Sequence, residues 1–155
     1  MTSENILIRQ LDEKEDIPYK LLLLADPSKE IIDEYLKTSK IYIALLNAKI
    51  VGTFVLCPLL DNSIEIKNIA VDSEYQGKGI GKLLLDDAIR VAKQKEYQSI
   101  CIGTANSSIG QFYLYQKKGF EMTEIKRDFF IDKYSHPIYE NGIQVKHMIM
   151  LTRLL

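Results

Sequence analysis

The segment Ile69-Ala70-Val71-Asp72-Ser73-Glu74-Tyr75-Gln76-Gly77-Lys78-Gly79-Ile80-Gly81-Lys82 constrains this chain more than any other. An apolar run enters a turn rich in glycine, and the turn opens onto a stretch with helical apolar spacing. A strand–turn–helix of this kind aims several unpaired backbone N–H groups, and the positive end of a helix dipole, at one spot. Such a spot suits a phosphate, and glycine lets a ligand approach the backbone. A tight structural corner is the other reading of a glycine-rich turn taken by itself.

The surrounding pattern supplies the fold. Residues 5–11 read as a strand, and residues 18–25 and 28–38 as helices, the second with Ser28 as N-cap. Strands follow at 41–46 and 50–56, joined by the tight turn Asn47-Ala48-Lys49, and at 64–71 after Asp61-Asn62-Ser63. In residues 79–95, Lys82, Asp86, Arg90 and Lys93 share one helical face, while Ile80, Leu84, Ala88 and Val91 share another. A strand at 98–104 precedes a helix at 106–118, capped by Asn106 or Ser107 and stopped by Gly119. Two last strands cover 120–131 and 143–154. The order predicts one domain over residues 1–155, an α/β protein with a mixed central sheet. Its early strands are antiparallel, and parallel pairing arises where a helix crosses over.

Three loop motifs compete for residues 76–82. A P-loop fails twice, with Gln76 at its first glycine and Leu83 at its hydroxyl position. A dinucleotide fingerprint fails once, because Lys82 stands at its third glycine. Gln/Arg-x-x-Gly-x-Gly/Ala is met in full by Gln76, Gly79 and Gly81. Together with Asn68-Ile69-Ala70-Val71 before it and Lys82-Leu83-Leu84 after it, this resembles the pyrophosphate-binding motif of the GNAT family, the acetyl-coenzyme A-dependent N-acetyltransferases. Leu114-Tyr115-Gln116-Lys117-Lys118-Gly119-Phe120 resembles that family's helix-to-strand signature at the right distance. The resemblance covers residues 64–125 firmly. Asn106-Ser107-Ser108-Ile109 and Glu140-Asn141-Gly142-Ile143-Gln144 resemble a small bacterial branch, the YvbK-like proteins.

The resemblance implies a GNAT-type sheet of about six to seven strands flanked by about four helices, with a parallel pair at the cofactor site. It implies acetyl-CoA as co-substrate and no metal. The pantetheine arm would run beside the strand of Ile69, Ala70 and Val71, with an N–H near Ile69 polarising the thioester carbonyl. The diphosphate would sit on the N–H groups of Gln76, Gly77, Lys78, Gly79, Ile80 and Gly81. Lys78 and Lys82 either add charge near the phosphates or only solubilise the helix start. Tyr115 stands where many members carry the general acid for the departing thiolate. Asn106 resembles a cofactor-contacting asparagine or is a helix cap, while the family's own spacing falls on Ser108.

Acetyl transfer to an amine needs a neutral nucleophile. A lysine-like amine with pKa ~10.4 is neutral in only about one molecule per thousand at pH 7, a larger deficit than that of a thiolate leaving group at ~8.5. A base, or a site that depresses the amine's pKa, therefore matters more than an acid. Glu65, six residues before Val71, matches the base position of the histone-modifying branch, or is an exposed glutamate beside Lys67. Strand alternation puts Glu65 on the face of Ile69 and Val71. Residues 127–140, with Asp128, Phe129, Phe130, Tyr134, His136, Tyr139 and Glu140, supply rings and carboxylates for a cationic amine, or form an ordinary hairpin or dimer contact. His147 reads as structural.

Other classes fall away. A formal net charge of −1 disfavours nonspecific nucleic-acid binding. No apolar run approaches the ~18 residues of a membrane span, and no secretory leader is legible. Cys57 and Cys101, flanked by apolar residues, read as reduced core thiols of a cytoplasmic protein, and no cysteine or histidine spacing suits zinc. The expected activity is direct acetyl transfer to a primary amine of a small molecule or peptide. The rivals are a non-catalytic acyl-CoA sensor and a nucleotide-binding protein using the same loop. Sheet edges and residues 127–140 offer a surface for a homodimer.

Overall fold

Two left-handed residues in a row, Asn47 at φ 49° and Ala48 at φ 66°, close the first hairpin, the geometry whose twist matches paired strands. It joins β2 (Lys40–Leu46) to β3 (Lys49–Pro58). The structure is a computed structural model describing residues 5–155. Before the hairpin come β1 (Ile6–Gln10), α1 (Tyr19–Ala25) and α2 (Lys29–Leu36). The Ser28 hydroxyl accepts from the Ile31 N–H at 3.3 Å and starts α2. After the hairpin come β4 (Ser63–Val71), a 3-10 turn (Ser73–Tyr75), α3 (Ile80–Gln94), β5 (Ser99–Ala105), α4 (Ile109–Lys117) and β6 (Glu121–Lys126). The chain ends with α5 (Phe129–Lys133), β7 (Tyr139–Glu140), β8 (Ile143–Gln144) and β9 (Met148–Leu154).

Seven strands form one mixed sheet in the order β1-β2-β3-β4-β5-β9-β6, and β7 and β8 make a separate hairpin. Among the described residues only β4 and β5 run parallel, because α3 carries the chain over the sheet between them. Leu84, Leu85, Ala88, Ile89 and Ala92 of α3 pack with Leu56, Ile64, Ile66, Ile100 and Phe120 on one face. Each buried leucine contributes about 1.5–3 kcal/mol. The opposite face carries α1 and α2, with Leu22, Ile32 and Val55 closed over it.

One irregularity decides how the site is built. Val55 pairs with Asn68 but Leu56 pairs with Ile66, so Lys67 is an extra residue bulged out of β4. A bulge reverses the alternation on either side of it. Val55 belongs to the α1–α2 core, and Asn68 opposite it reaches Leu22 of α1. Glu65, opposite Cys57, is on that face too. Ile69 and Val71 pack on the α3 side. The alternation that places Glu65 with Ile69 and Val71 is thus corrected by the bulge.

Three boundaries also differ from the pattern. The strand read over 120–131 stops at Lys126, because Asp128 turns left-handed at φ 58° and α5 begins, adding a fifth helix. The strand read over 143–154 is broken between β8 and β9, where the Asn106 side chain takes the N–H groups of Lys146 and His147 at 2.8 and 2.9 Å. His147 therefore lies outside the strand. The helix read from residue 106 starts at Ile109, with Ser108 as a cap residue whose hydroxyl is engaged elsewhere.

Candidate active site

β4 and β5 pair from Ser63 and Ser99 to Ile66 and Ile102 and no further, although β5 continues against β9 as far as Ala105. The bulge at Lys67 starts the divergence, leaving a notch beside residues 67–71. The Asp72 N–H donates to the Val51 carbonyl at 2.8 Å, so the backbone groups of Asp72 face β3. Alternation turns those of Ala70 the same way and those of Ile69 and Val71 into the notch. Ala70 itself thus turns its backbone groups toward β3, not toward the notch. The Gln76 side-chain amide donates to the Val71 carbonyl at 3.0 Å, which pins the loop to the strand end.

The loop then turns on two left-handed glycines, Gly77 at φ 76° and Gly79 at φ 86°. A Cβ at either would meet nothing within 4 Å, so conformation, not space, requires glycine there. Gly79 is the N-cap of α3 and brings no side chain to cap it. The N–H groups of Ile80, Gly81 and Lys82 are left without the side-chain partner an ordinary cap provides. Gly81 sits 3.9 Å (as a Cβ) from Val71 Cγ2, which keeps this first turn close to the strand end. Lys78 and Lys49 lie over the Tyr75 ring at 5.5 and 4.9 Å, beside the loop. Lys82 is exposed.

Tyr115 is buried in the same core as α3, its ring 6.1 Å from Phe120. Its hydroxyl makes no hydrogen bond among the described residues, and burial raises its pKa well above the ordinary tyrosine value. Tyr113 points outward and is 68% exposed. Gly119, left-handed at φ 88°, ends the turn after α4 and leads directly into Phe120.

Asn106 and Ser108 bond within the protein. The Asn106 carboxamide also donates to the Gln144 carbonyl at 3.2 Å, so it clamps the β8–β9 bend. Ser107 and Ser108 both donate to Glu140 Oε1, at 2.8 and 2.7 Å, strapping the β7–β8 hairpin to the start of α4. Glu65 is buried, ion-paired with Lys67 at 3.2 Å, and flanked in register by Cys57 and Cys101. Burial, with the Glu65 charge second, pushes the Cys101 thiol up to about 12.

Of residues 127–140, Tyr134 makes the long reach. Its hydroxyl donates to Asp26 Oδ1 at 2.8 Å, bringing this segment against the α1–α2 side. Phe130 lies 5.7 Å from the Tyr134 ring. Among the described residues His136 pairs only with its neighbour Ser135, at 2.8 Å, and Tyr139 is exposed. The structure adds Asp26, Tyr35 and Asn68 to the residues gathered here. Asn68 alone left a trace in the sequence, as a polar residue inside the apolar run 64–71.

The parallel-strand notch, the glycine-turned helix start and the buried tyrosine define an acetyltransferase architecture. The model of the acetyltransferase (GNAT) domain matches residues 37–122, and the chain belongs to that family. It is 46% identical over 151 residues to the N-acetyltransferase YvbK of Bacillus subtilis, covering 97% of each chain. A GNAT acetyltransferase of Elizabethkingia anophelis, solved with acetyl-CoA bound, superposes at TM-score 0.97 with 52% identity, over 99% of this chain and 100% of that one. An IAA acetyltransferase of Bacillus cereus superposes at TM-score 0.92 with 42% identity, over 97% and 99%. Among the described residues no helix is long and apolar enough to cross a membrane.

Proposed function

We propose that this enzyme transfers acetyl from acetyl-CoA directly to a primary amine of a small molecule or peptide, in a ternary complex. The notch beside Ile69 carries the reading. It offers unpaired backbone groups in β-strand geometry to a pantetheine arm, and it leads to the open first turn of α3, which suits a diphosphate. Lys78 and Lys82 add positive charge there.

In this reading the Ile69 N–H polarises the thioester carbonyl and then holds the oxyanion formed when the amine attacks. Tyr115 gives its proton to the sulfur as the C–S bond breaks. Glu65, on the opposite face of β4, accepts the amine proton through water. A covalent acyl-enzyme is disfavoured, since the Cys101 thiol, pushed up to about 12, is a poor nucleophile at neutral pH. Free cysteines fit a reducing, cytoplasmic setting.

The test is thiol release from acetyl-CoA across polyamines, amino acids, aminoglycosides and peptides. Amine-dependent release is expected. Tight acetyl-CoA binding with no turnover on any amine would leave the sensor as the better account.

A further inference from the structure

Four polar side chains converge between α1, α2, β4 and the end of α5. Asp26 is 9% exposed and makes no ion pair among the described residues. It accepts from the Tyr134 hydroxyl at 2.8 Å and the Ser28 N–H at 3.1 Å, and Tyr35 lies against it. Asn68 Nδ2 donates to the Leu22 carbonyl and the Tyr35 hydroxyl, each at 3.0 Å. The Leu22 carbonyl can only accept, which fixes the carboxamide's orientation. Asn68 Oδ1 is then left buried with no partner, in a residue only 4% exposed.

A buried carboxylate without a cation and a buried carbonyl oxygen without a donor are both unfavourable alone. One ligand group answers both: a nitrogen that carries N–H bonds and a positive charge. Asn68 directly precedes Ile69, whose N–H faces the notch, so their Cα atoms are about 3.8 Å apart. We propose that Asp26 and Asn68 form the seat of the acceptor amine, and that the seat selects alkylamines with no carboxylate beside the nitrogen. This rests on the transferase reading above.

The division of labour follows from charge. Asp26 draws the ammonium form in from solvent. Asn68 Oδ1, neutral and fixed, accepts an N–H of the attacking nitrogen and so orients it. An α-carboxylate would stand within a few ångströms of Asp26 and be repelled. Free α-amino acids, aspartate included, are therefore refused. Because Asn68 Oδ1 is closed to solvent, admitting the amine requires a neighbour to move. Tyr134 is the one member of the cluster from outside α1, α2 and β4 and the loop between the two helices.

Two measurements test the seat separately from the transferase reading. In the first, the Asn68 carboxamide signal of the full-length protein, assigned by through-bond correlation, is followed during titration with butylammonium, tetramethylammonium or alanine. A saturable shift with butylammonium alone is expected. Equal responses to all three, or none to butylammonium, overturn the seat whether or not the protein turns over amines. In the second, Asp26→Asn is assayed with an alkylamine that the wild type acetylates. The KM for amine should rise tenfold or more, with the KM for acetyl-CoA within twofold and discrimination against alanine reduced. An unchanged amine KM in a variant that melts like the wild type overturns the role of Asp26. Turnover that prefers amino acids overturns the selectivity.

Discussion

Glu65 and Ile69 stand on opposite faces of β4, because Lys67 is bulged out between them. The carboxylate therefore faces the side of the sheet that Asn68 shares, while the proposed carbonyl-polarising strand segment packs toward α3. In the proposed mechanism a base so placed would assist the amine, not the thioester. Glu65→Gln should lower kcat/KM for amine about 100-fold at pH 7. The deficit should shrink as pH approaches ~10, where the amine is neutral without help. A mutant-to-wild-type ratio that stays constant across the pH profile would remove Glu65 from proton transfer.

Tyr115→Phe deletes only a hydroxyl that makes no hydrogen bond among the described residues. We expect kcat to fall about 100-fold with little change in the KM for acetyl-CoA. Steady-state kinetics with both substrates varied decides it. Because burial raises the Tyr115 pKa, the acid form persists through the alkaline range, and the wild-type profile should show no falling limb below about pH 10.

Gly79→Ala and Gly81→Ala separate conformation from space. Gly79 is left-handed, so alanine there costs about 1–2 kcal/mol. It also reorients the first N–H groups of α3, and the Kd for acetyl-CoA should rise about tenfold. Gly81 has no positive φ and only an ordinary contact with Val71, so its alanine variant should melt like the wild type. Calorimetric titration alongside thermal melts distinguishes the two.

Glu140→Ala leaves the Ser107 and Ser108 hydroxyls buried and unpaired, Ser107 being 0% exposed. The cost should be about 1–3 kcal/mol, a Tm lower by about 3–8 °C. Scanning calorimetry reads this directly, and an unchanged Tm would show that the strap contributes nothing.

Tyr35, Tyr115 and Tyr134 all hold their protons more tightly when folded, chiefly through burial, with Asp26 adding to Tyr35 and Tyr134. In the unfolded chain these hydroxyls ionise near pH ~10. The stability they contribute is complete below that pH and is lost as pH rises past it toward the raised folded values. Chemical denaturation at pH 8, 9.5 and 11 should give a fall confined to the upper interval. Tyr134→Phe should reduce that fall.

Much of this architecture was legible from periodicity. Ser28, the Asn47-Ala48 turn and the apolar stripe of α3 each act through neighbours close in sequence, so their roles show locally. The glycine loop was legible because positive φ and an uncapped helix start are encoded in a few adjacent residues. The bulge was not, since Lys67 in an apolar run reads as an ordinary outward residue until its partner strand is known. Nor was the engagement of Asn106, whose partners lie some forty residues away. The Asp26 cluster was hidden for the same reason: Tyr134 reaches it across 108 residues.

The central sheet is joined across its middle only by the short ladder from Ser63 and Ser99 to Ile66 and Ile102. In the proposed binding mode, a donor molecule lying along the divergence would touch both half-sheets and act as a staple between them. Its affinity then becomes cohesion of the fold, about 2.7 kcal/mol when the free donor is at a hundred times its Kd. Amide exchange in β4 and β5 should slow together on loading, and an empty enzyme should part first along that seam.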